Sequence, residues 1–244
     1  MEFPDLRISE VVFKETLSIR EYCALFIVEI RGLVCVMKVH LGHNLNLPED
    51  SYYETNMFVC ESNAYRRLNE AGPFYGTIEN IDPKLCLPYL NKFVDDKYRP
   101  TAIFIEYIPN MKELHRSNYT PERMRNFVEG LKEIHKAMVM HGDIHPRNMM
   151  IVEDDPSRAI WLDFDRAQAL SPEPDELHKK LDWVGRETRL IMEMAEDMVC
   201  SPPVICLLFY ESSYFLTWVA WKRRRQIGLR RSVTGLVNTM EVLV

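Results

Sequence analysis

The chain has 244 residues, 47% hydrophobic and 27% charged, with a formal net charge of -6. That balance belongs to a folded globular protein of one large domain or two small lobes, and the acidic sign speaks against nucleic acid as the main partner. Six cysteines are scattered without a Cys-x-x-Cys pair, so neither a disulfide framework nor a zinc site is expected and a reducing compartment fits. Met1-Glu2-Phe3-Pro4-Asp5 lacks the basic start and apolar run of a secretory signal. The expected location is cytoplasmic.

In chain order, Ile8 to Phe13, Tyr22 to Ile30 and Leu33 to Val39 read as strands, with Arg31-Gly32 as a tight hairpin turn. Lys38 closes the third strand, where a lysine on an apolar run needs a reason; snorkelling to water is the plain one. After a loop from His40 to Pro48, a helix is predicted over Ser51 to Glu70, with Ser51-Tyr52-Tyr53-Glu54 as a capping box. Met57, Glu61, Ala64, Tyr65 and Leu68 share one face of it, so Glu61 is a charge on an apolar stripe. Ala71-Gly72-Pro73 stops that helix. Tyr75 to Ile81 and Thr101 to Ile108 read as two more strands, joined by a loop over residues 82–100. A second helix is predicted over Pro121 to Val139, capped by Thr120 and burying Met124, Phe127, Val128, Leu131, Ile134 and Met138, with His135 as an ordinary helix residue.

The polar stretch His141-Gly142-Asp143-Ile144-His145-Pro146-Arg147-Asn148 follows. Pro146 prevents a regular helix, so these side chains sit on a loop. Met149 to Val152 and Ala159 to Leu162 read as the two strands of a hairpin, which brings Asp143, Asn148 and Asp163 to one end. A structural turn is the plain reading of the loop. A transition-metal site from His141 and His145 lacks a third ligand at motif spacing. Magnesium, a hard cation, takes oxygen ligands such as Asn148 and Asp163, and Asp143 can accept a proton from an attacking hydroxyl.

These paired motifs resemble the catalytic loop and metal motif of the protein-kinase-like superfamily. His141-Gly142-Asp143 stands where ordinary kinases have His-Arg-Asp, and Asp163-Phe164-Asp165 where they have Asp-Phe-Gly. His145 replaces the usual lysine. The His-Gly-Asp-x-His-Pro-x-Asn form is similar to aminoglycoside and choline phosphotransferases and to small atypical kinase-like proteins of fungi.

The resemblance covers roughly residues 8–195. It implies an α+β, bilobal protein-kinase-like fold: a five-stranded antiparallel N-lobe with one helix and the hinge over residues 1–108, and a reduced, mainly helical C-lobe over 109–199. It implies ATP and Mg2+ as cofactors. Asp143 would take the acceptor's proton, Asn148 and Asp163 would hold magnesium, Lys38 would hold the phosphates and Glu61 would orient Lys38. Glu106-Tyr107-Ile108-Pro109 would be the hinge, with its backbone bonding the adenine. Two departures stand out. The phosphate-covering loop, expected around Lys14 to Glu21, has none of the usual glycines, the first being Gly32. Gly142 replaces the arginine that reads a phosphorylated activation loop, so no activation by phosphorylation, for instance at Ser171, is expected. The acceptor is a protein serine or threonine, or a small-molecule hydroxyl; the alternative is a catalytically weak scaffold.

Asp175 to Met198 is strongly helical, with Leu177, Leu181, Val184, Leu190, Ile191 and Met194 available for burial. Asp182-Trp183-Val184-Gly185 resembles the start of the helix that supports a kinase catalytic loop. The tail, residues 200–244, changes character. Residues 204–221 are mostly apolar but contain Glu211, and Lys222-Arg223-Arg224-Arg225 follows. A tail helix is the favoured reading over a membrane span, a nuclear address or a misread gene.

Overall fold

The computed structural model describes residues 2–42, 54–68, 74–170 and 174–200. They belong to one compact unit, Met1–Met198, apart from the last two residues of the final helix. The tail beyond Cys200, with its apolar and basic stretches, lies outside the described residues, as do Ser51, Ala71-Gly72-Pro73 and Ser171.

The architecture is α+β, with three α-helices among the described residues. The N-terminal part is an antiparallel five-stranded sheet: β1 (Val11–Ile19), β2 (Cys23–Ile30), β3 (Leu33–His40), β4 (Phe74–Ile78) and β5 (Thr101–Glu106), in the spatial order β1-β2-β3-β5-β4. Arg31 and Gly32 take φ of +52° and +80°, the left-handed pair that a two-residue hairpin turn requires. At the sheet's first edge the sequence reading needs correction. Ile8–Glu10 forms a 3-10 turn, and β1 begins at Val11 and runs on to Ile19, through most of the expected Lys14–Glu21 loop. Most of β1 past Phe13 is solvent-exposed, and bulges interrupt its register between Phe13 and Glu15 and between Thr16 and Ser18. A bulged edge strand shows little apolar alternation, so it reads as loop.

The two sheet faces are covered differently. On one, Ala24, Phe26, Val28, Met37, Ala102 and Phe104 are sealed by Ile81, Cys86, Leu90 and Phe93. The 82–100 connection is therefore a lid built on two 3-10 turns, Pro83–Cys86 and Asn91–Phe93. On the other face Phe74 and Ile103 meet α1 (Met57–Arg67) at Phe58, with Tyr65 and Ile105 alongside. The helix starts later than expected, because Asn56 supplies the cap: its side-chain oxygen accepts the N–H groups of Phe58 (3.1 Å) and Val59 (3.4 Å).

After β5 come β6 (Met111–Glu113), α2 (Pro121–Lys136), β7 (Val139–Met140), β8 (Met149–Val152), β9 (Asp155–Trp161), β10 (Gln168–Ala169) and α3 (Pro174–Cys200). The expected hairpin is β8–β9, extended by β6, while β7 pairs with β10. Thr120 caps α2 by accepting the Arg123 N–H, and Met124, Phe127, Leu131 and Ile134 enter a core shared with Leu114, Met149, Ile151, Trp161, Phe164 and Ile191. Trp161 Nε1–H donates to the Phe127 carbonyl at 3.1 Å. The expected helix end at Val139 moves back to Lys136, as Met138 turns at φ +58° into β7. Leu181, expected in the core, is 60% exposed. Among the described residues no helix is long and apolar enough to cross a membrane.

Candidate active site

Lys38 sits near the end of β3, opposite Leu25 of β2 and Ile103 of β5. Its Nζ lies 2.7 Å from Glu61 Oε2 and 2.5 Å from Asp163 Oδ1. Lys38 and Glu61 are almost wholly buried, at 5% and 1% exposure. Burial opposes the lysine charge, but Glu61 and Asp163 outweigh it and hold Lys38 well above the ordinary lysine range. Conversely, burial pushes both carboxyls up while Lys38 pulls both below their usual values, His40 adding to the pull on Glu61. Glu61, the charge on the helix stripe, is the carboxylate that meets Lys38 from α1. Glu54 instead accepts the Asn56 N–H ahead of the helix.

Asp163 follows β9 in a left-handed conformation, φ +66° and ψ +63°, which aspartate tolerates better than most side chains. Asp165, two residues on, is pushed up to about 6, first by burial and then by the Asp163 charge.

Asp143 and Asn148 form the second group. Asn148 Nδ2–H donates to both the carbonyl and Oδ2 of Asp143 at 2.9 Å, and Arg147 places a guanidinium N–H on the same Oδ2 at 2.7 Å. Asp143 is thus fixed in one rotamer by two donors on one oxygen. The Leu162 N–H donates to the Asn148 carbonyl at 2.9 Å, which ties this loop to the strand leading into Asp163.

His141 is fully buried between Trp161 and Phe164. Burial pushes its pKa down, so the ring is neutral near pH 7. Its partners assign the tautomer: Nε2–H donates to the Leu162 carbonyl (3.1 Å) and Nδ1 accepts the Asp143 N–H (3.3 Å). No metal role remains for it, and among the described residues no cluster of three His, Cys, Asp or Glu side chains forms a metal cage. Gly142 has φ +81°, and a Cβ there would lie 2.2 Å from the Arg166 carbonyl oxygen. No side chain fits, arginine included.

Four supporting residues escaped the sequence reading. Glu187 of α3, 5% exposed, accepts the N–H groups of His141 (3.1 Å) and Gly142 (2.7 Å). Its Oε2 also meets His135 Nε2 at 2.9 Å, so His135 is a buried partner in the loop's support and not an ordinary helix residue. Gln168 exchanges two hydrogen bonds with the backbone of Glu54, both 3.0 Å, and Arg67 donates to the carbonyls of Met138 (2.8 Å) and Leu170 (2.5 Å). Both ends of α1 are therefore tied to the chain around the second motif. A signal for Glu187 existed: with Val184, Ile191 and Met194 it lies on a helical stripe, the same anomaly that singled out Glu61.

Glu106 and Ile108 stand apart from this polar centre. Glu106 ends β5 and pairs with Arg158 of β9 at 2.9 Å, and Ile108 is buried. On the sheet face that carries Lys38, the register aligns Ile27, Val36 and Ile105 in one apolar row. The centre thus joins a buried Lys38–Glu61 pair and the half-buried Asp163 to an Asp–Asn pair on a braced loop. No protein-family model matches the chain, and no curated protein matches it either.

Proposed function

We propose that this chain is an ATP- and Mg2+-dependent phosphotransferase of bilobal, protein-kinase-like build, moving the γ-phosphoryl group of ATP to a hydroxyl. One observation carries the reading: Lys38 is held between Glu61 and Asp163, residues brought from three distant parts of the sequence. A buried ion pair is a poor source of stability compared with apolar packing, so a role in handling charge accounts for it better.

The donor set fits magnesium. Asp163 offers a carboxylate held below its usual pKa. Asn148 has its amide nitrogen committed to Asp143, which leaves the amide oxygen for a hard cation. A site with two protein oxygens, completed by water and phosphate, is the usual magnesium arrangement. Bound magnesium would neutralise charge on the phosphates. Lys38 would release part of its contact with Asp163 to a phosphate oxygen while Glu61 keeps its direction. The apolar row of Ile27, Val36 and Ile105 would face the adenine, with the backbone of Glu106 to Ile108 at its edge. Asp143, oriented by Asn148 and Arg147, would accept the proton of the attacking hydroxyl. Positioning and charge neutralisation supply most of the rate in such transfers.

The acceptor reading is a protein serine or threonine, with a small-molecule hydroxyl as the second. Arg147 bears on the second: its guanidinium beside Asp143 repels a cationic acceptor of the aminoglycoside or choline kind. The test is transfer from γ-labelled ATP to mixed protein and small-molecule acceptors. Label must pass to one class with the unsubstituted chain and not with Asp143→Ala. No transfer to any acceptor, with nucleotide still bound, leaves the scaffold reading in its place.

A further inference from the structure

The phosphate-covering loop of kinases works through glycine backbone, whose N–H groups approach the phosphates closely. Here β1 and β2 are joined by Arg20-Glu21-Tyr22, which contains no glycine. The Arg20 N–H donates to the Cys23 carbonyl at 2.8 Å, closing the turn. Cys23 lies opposite His40 of β3, and His40 turns its ring to Glu61, 3.0 Å from Oε2. Arg20, Cys23 and His40 therefore form one row across the sheet, next to the row of Ser18, Leu25 and Lys38. Arg20 stands over the same face as Lys38.

We propose that the Arg20 guanidinium binds the terminal phosphates of the nucleotide, in place of the missing glycine backbone. The inference rests on the phosphotransferase reading above. Three observations support it. Arg20 is exposed and makes no side-chain hydrogen bond or ion pair among the described residues, so its five donors are uncommitted. Lys38 is committed to two carboxylates, which leaves the centre short of positive charge for a triphosphate. The turn is also fixed in place. Lys92, from the lid over the opposite sheet face, donates to the carbonyls of Arg20 and Glu21, the latter at 2.6 Å. A planar guanidinium on a fixed turn suits bidentate phosphate recognition.

The test is calorimetric titration of the full chain with Mg-ATP and, separately, with adenosine, which lacks the phosphates. Arg20→Ala should weaken Mg-ATP binding by about ten- to a hundredfold and leave adenosine binding unchanged, with Arg20→Lys in between. Mg-ATP binding unchanged in Arg20→Ala overturns the Arg20 assignment and leaves the phosphotransferase reading standing. Equal weakening of both ligands also overturns it, because the residue then acts on the fold of the turn. An unsubstituted chain that binds neither ligand overturns both proposals.

Discussion

Lys38 Nζ and Asp163 Oδ1 lie 2.5 Å apart, joining residues 125 positions apart in sequence. The contact links the end of a sheet strand to the residue that follows β9, and Glu61 completes it from α1. Removing the cation leaves two carboxylates facing each other in a site where one is wholly buried. Lys38→Met should cost about 3–5 kcal/mol, the range for breaking a buried pair. Adding Glu61→Gln should restore part of that loss, since the two substitutions act on one interaction. Urea unfolding of the single and double variants measures both.

The same cluster sets an acid limit. The folded pKa values of Glu61 and Asp163 are depressed, below 4.5 and 3.8 respectively. Their contribution is therefore present above those unfolded values and is lost as pH falls through the folded ones.

Asp165 has the opposite sign. Its folded pKa is raised from 3.8 to about 6, so the folded state binds the extra proton between those values. Stability attributable to this group is present below 3.8 and is lost as pH rises through 6. Asp165→Asn should therefore stabilise the chain at pH 7.5 by about 1–2 kcal/mol, allowing for its partial exposure. The gain should vanish near pH 4, as thermal unfolding at the two pH values would show.

Gly142 is fixed by backbone geometry. Gly142→Ala puts a Cβ against the Arg166 carbonyl and imposes a left-handed conformation on a residue that resists it. The expected loss is at least about 2 kcal/mol, more than left-handed strain alone. A variant with unchanged melting temperature would contradict the placement of the loop against Arg166.

Glu187 supports the same loop from below. Glu187→Gln keeps the shape but can accept only through its one amide oxygen, so one of the His141 and Gly142 N–H groups loses its partner. Stability should fall by about 1–3 kcal/mol. Turnover should fall more than the KM for ATP rises, because the loop end next to Glu187 leads directly into Asp143, while Lys38 and Asp163 hold the nucleotide from other elements. Steady-state kinetics with an acceptor identified by the labelled-ATP screen separates the two parameters.

Much of this was legible in the sequence because it rests on local rules. The β2–β3 hairpin follows from two apolar runs around Arg31-Gly32, and the α2 cap from Thr120-Pro121. Lys38, Glu61, Asp143, Asn148 and Asp163 were each nameable as a polar residue in an apolar or motif setting. What was illegible depends on tertiary partners. β1 is a bulged edge strand without clean alternation, so its length was missed. Asn56 caps α1, whereas the sequence pattern points to a capping box starting at Ser51. The lid over residues 82–100 is two short 3-10 turns whose apolar residues follow no regular period. Gln168 and Arg67 act on backbone atoms far away in sequence, which no local pattern records.

In the proposed phosphotransferase, Lys38, Glu61 and Asp163 line a magnesium-nucleotide site. The most direct test is a thermal shift with Mg-ATP on the unsubstituted chain and on Asp163→Asn. Ligand at a hundred times its Kd should add about 2.7 kcal/mol of stability, the shift should require magnesium, and Asp163→Asn should abolish it. A folded, unsubstituted chain whose melting temperature does not move with Mg-ATP would contradict the account.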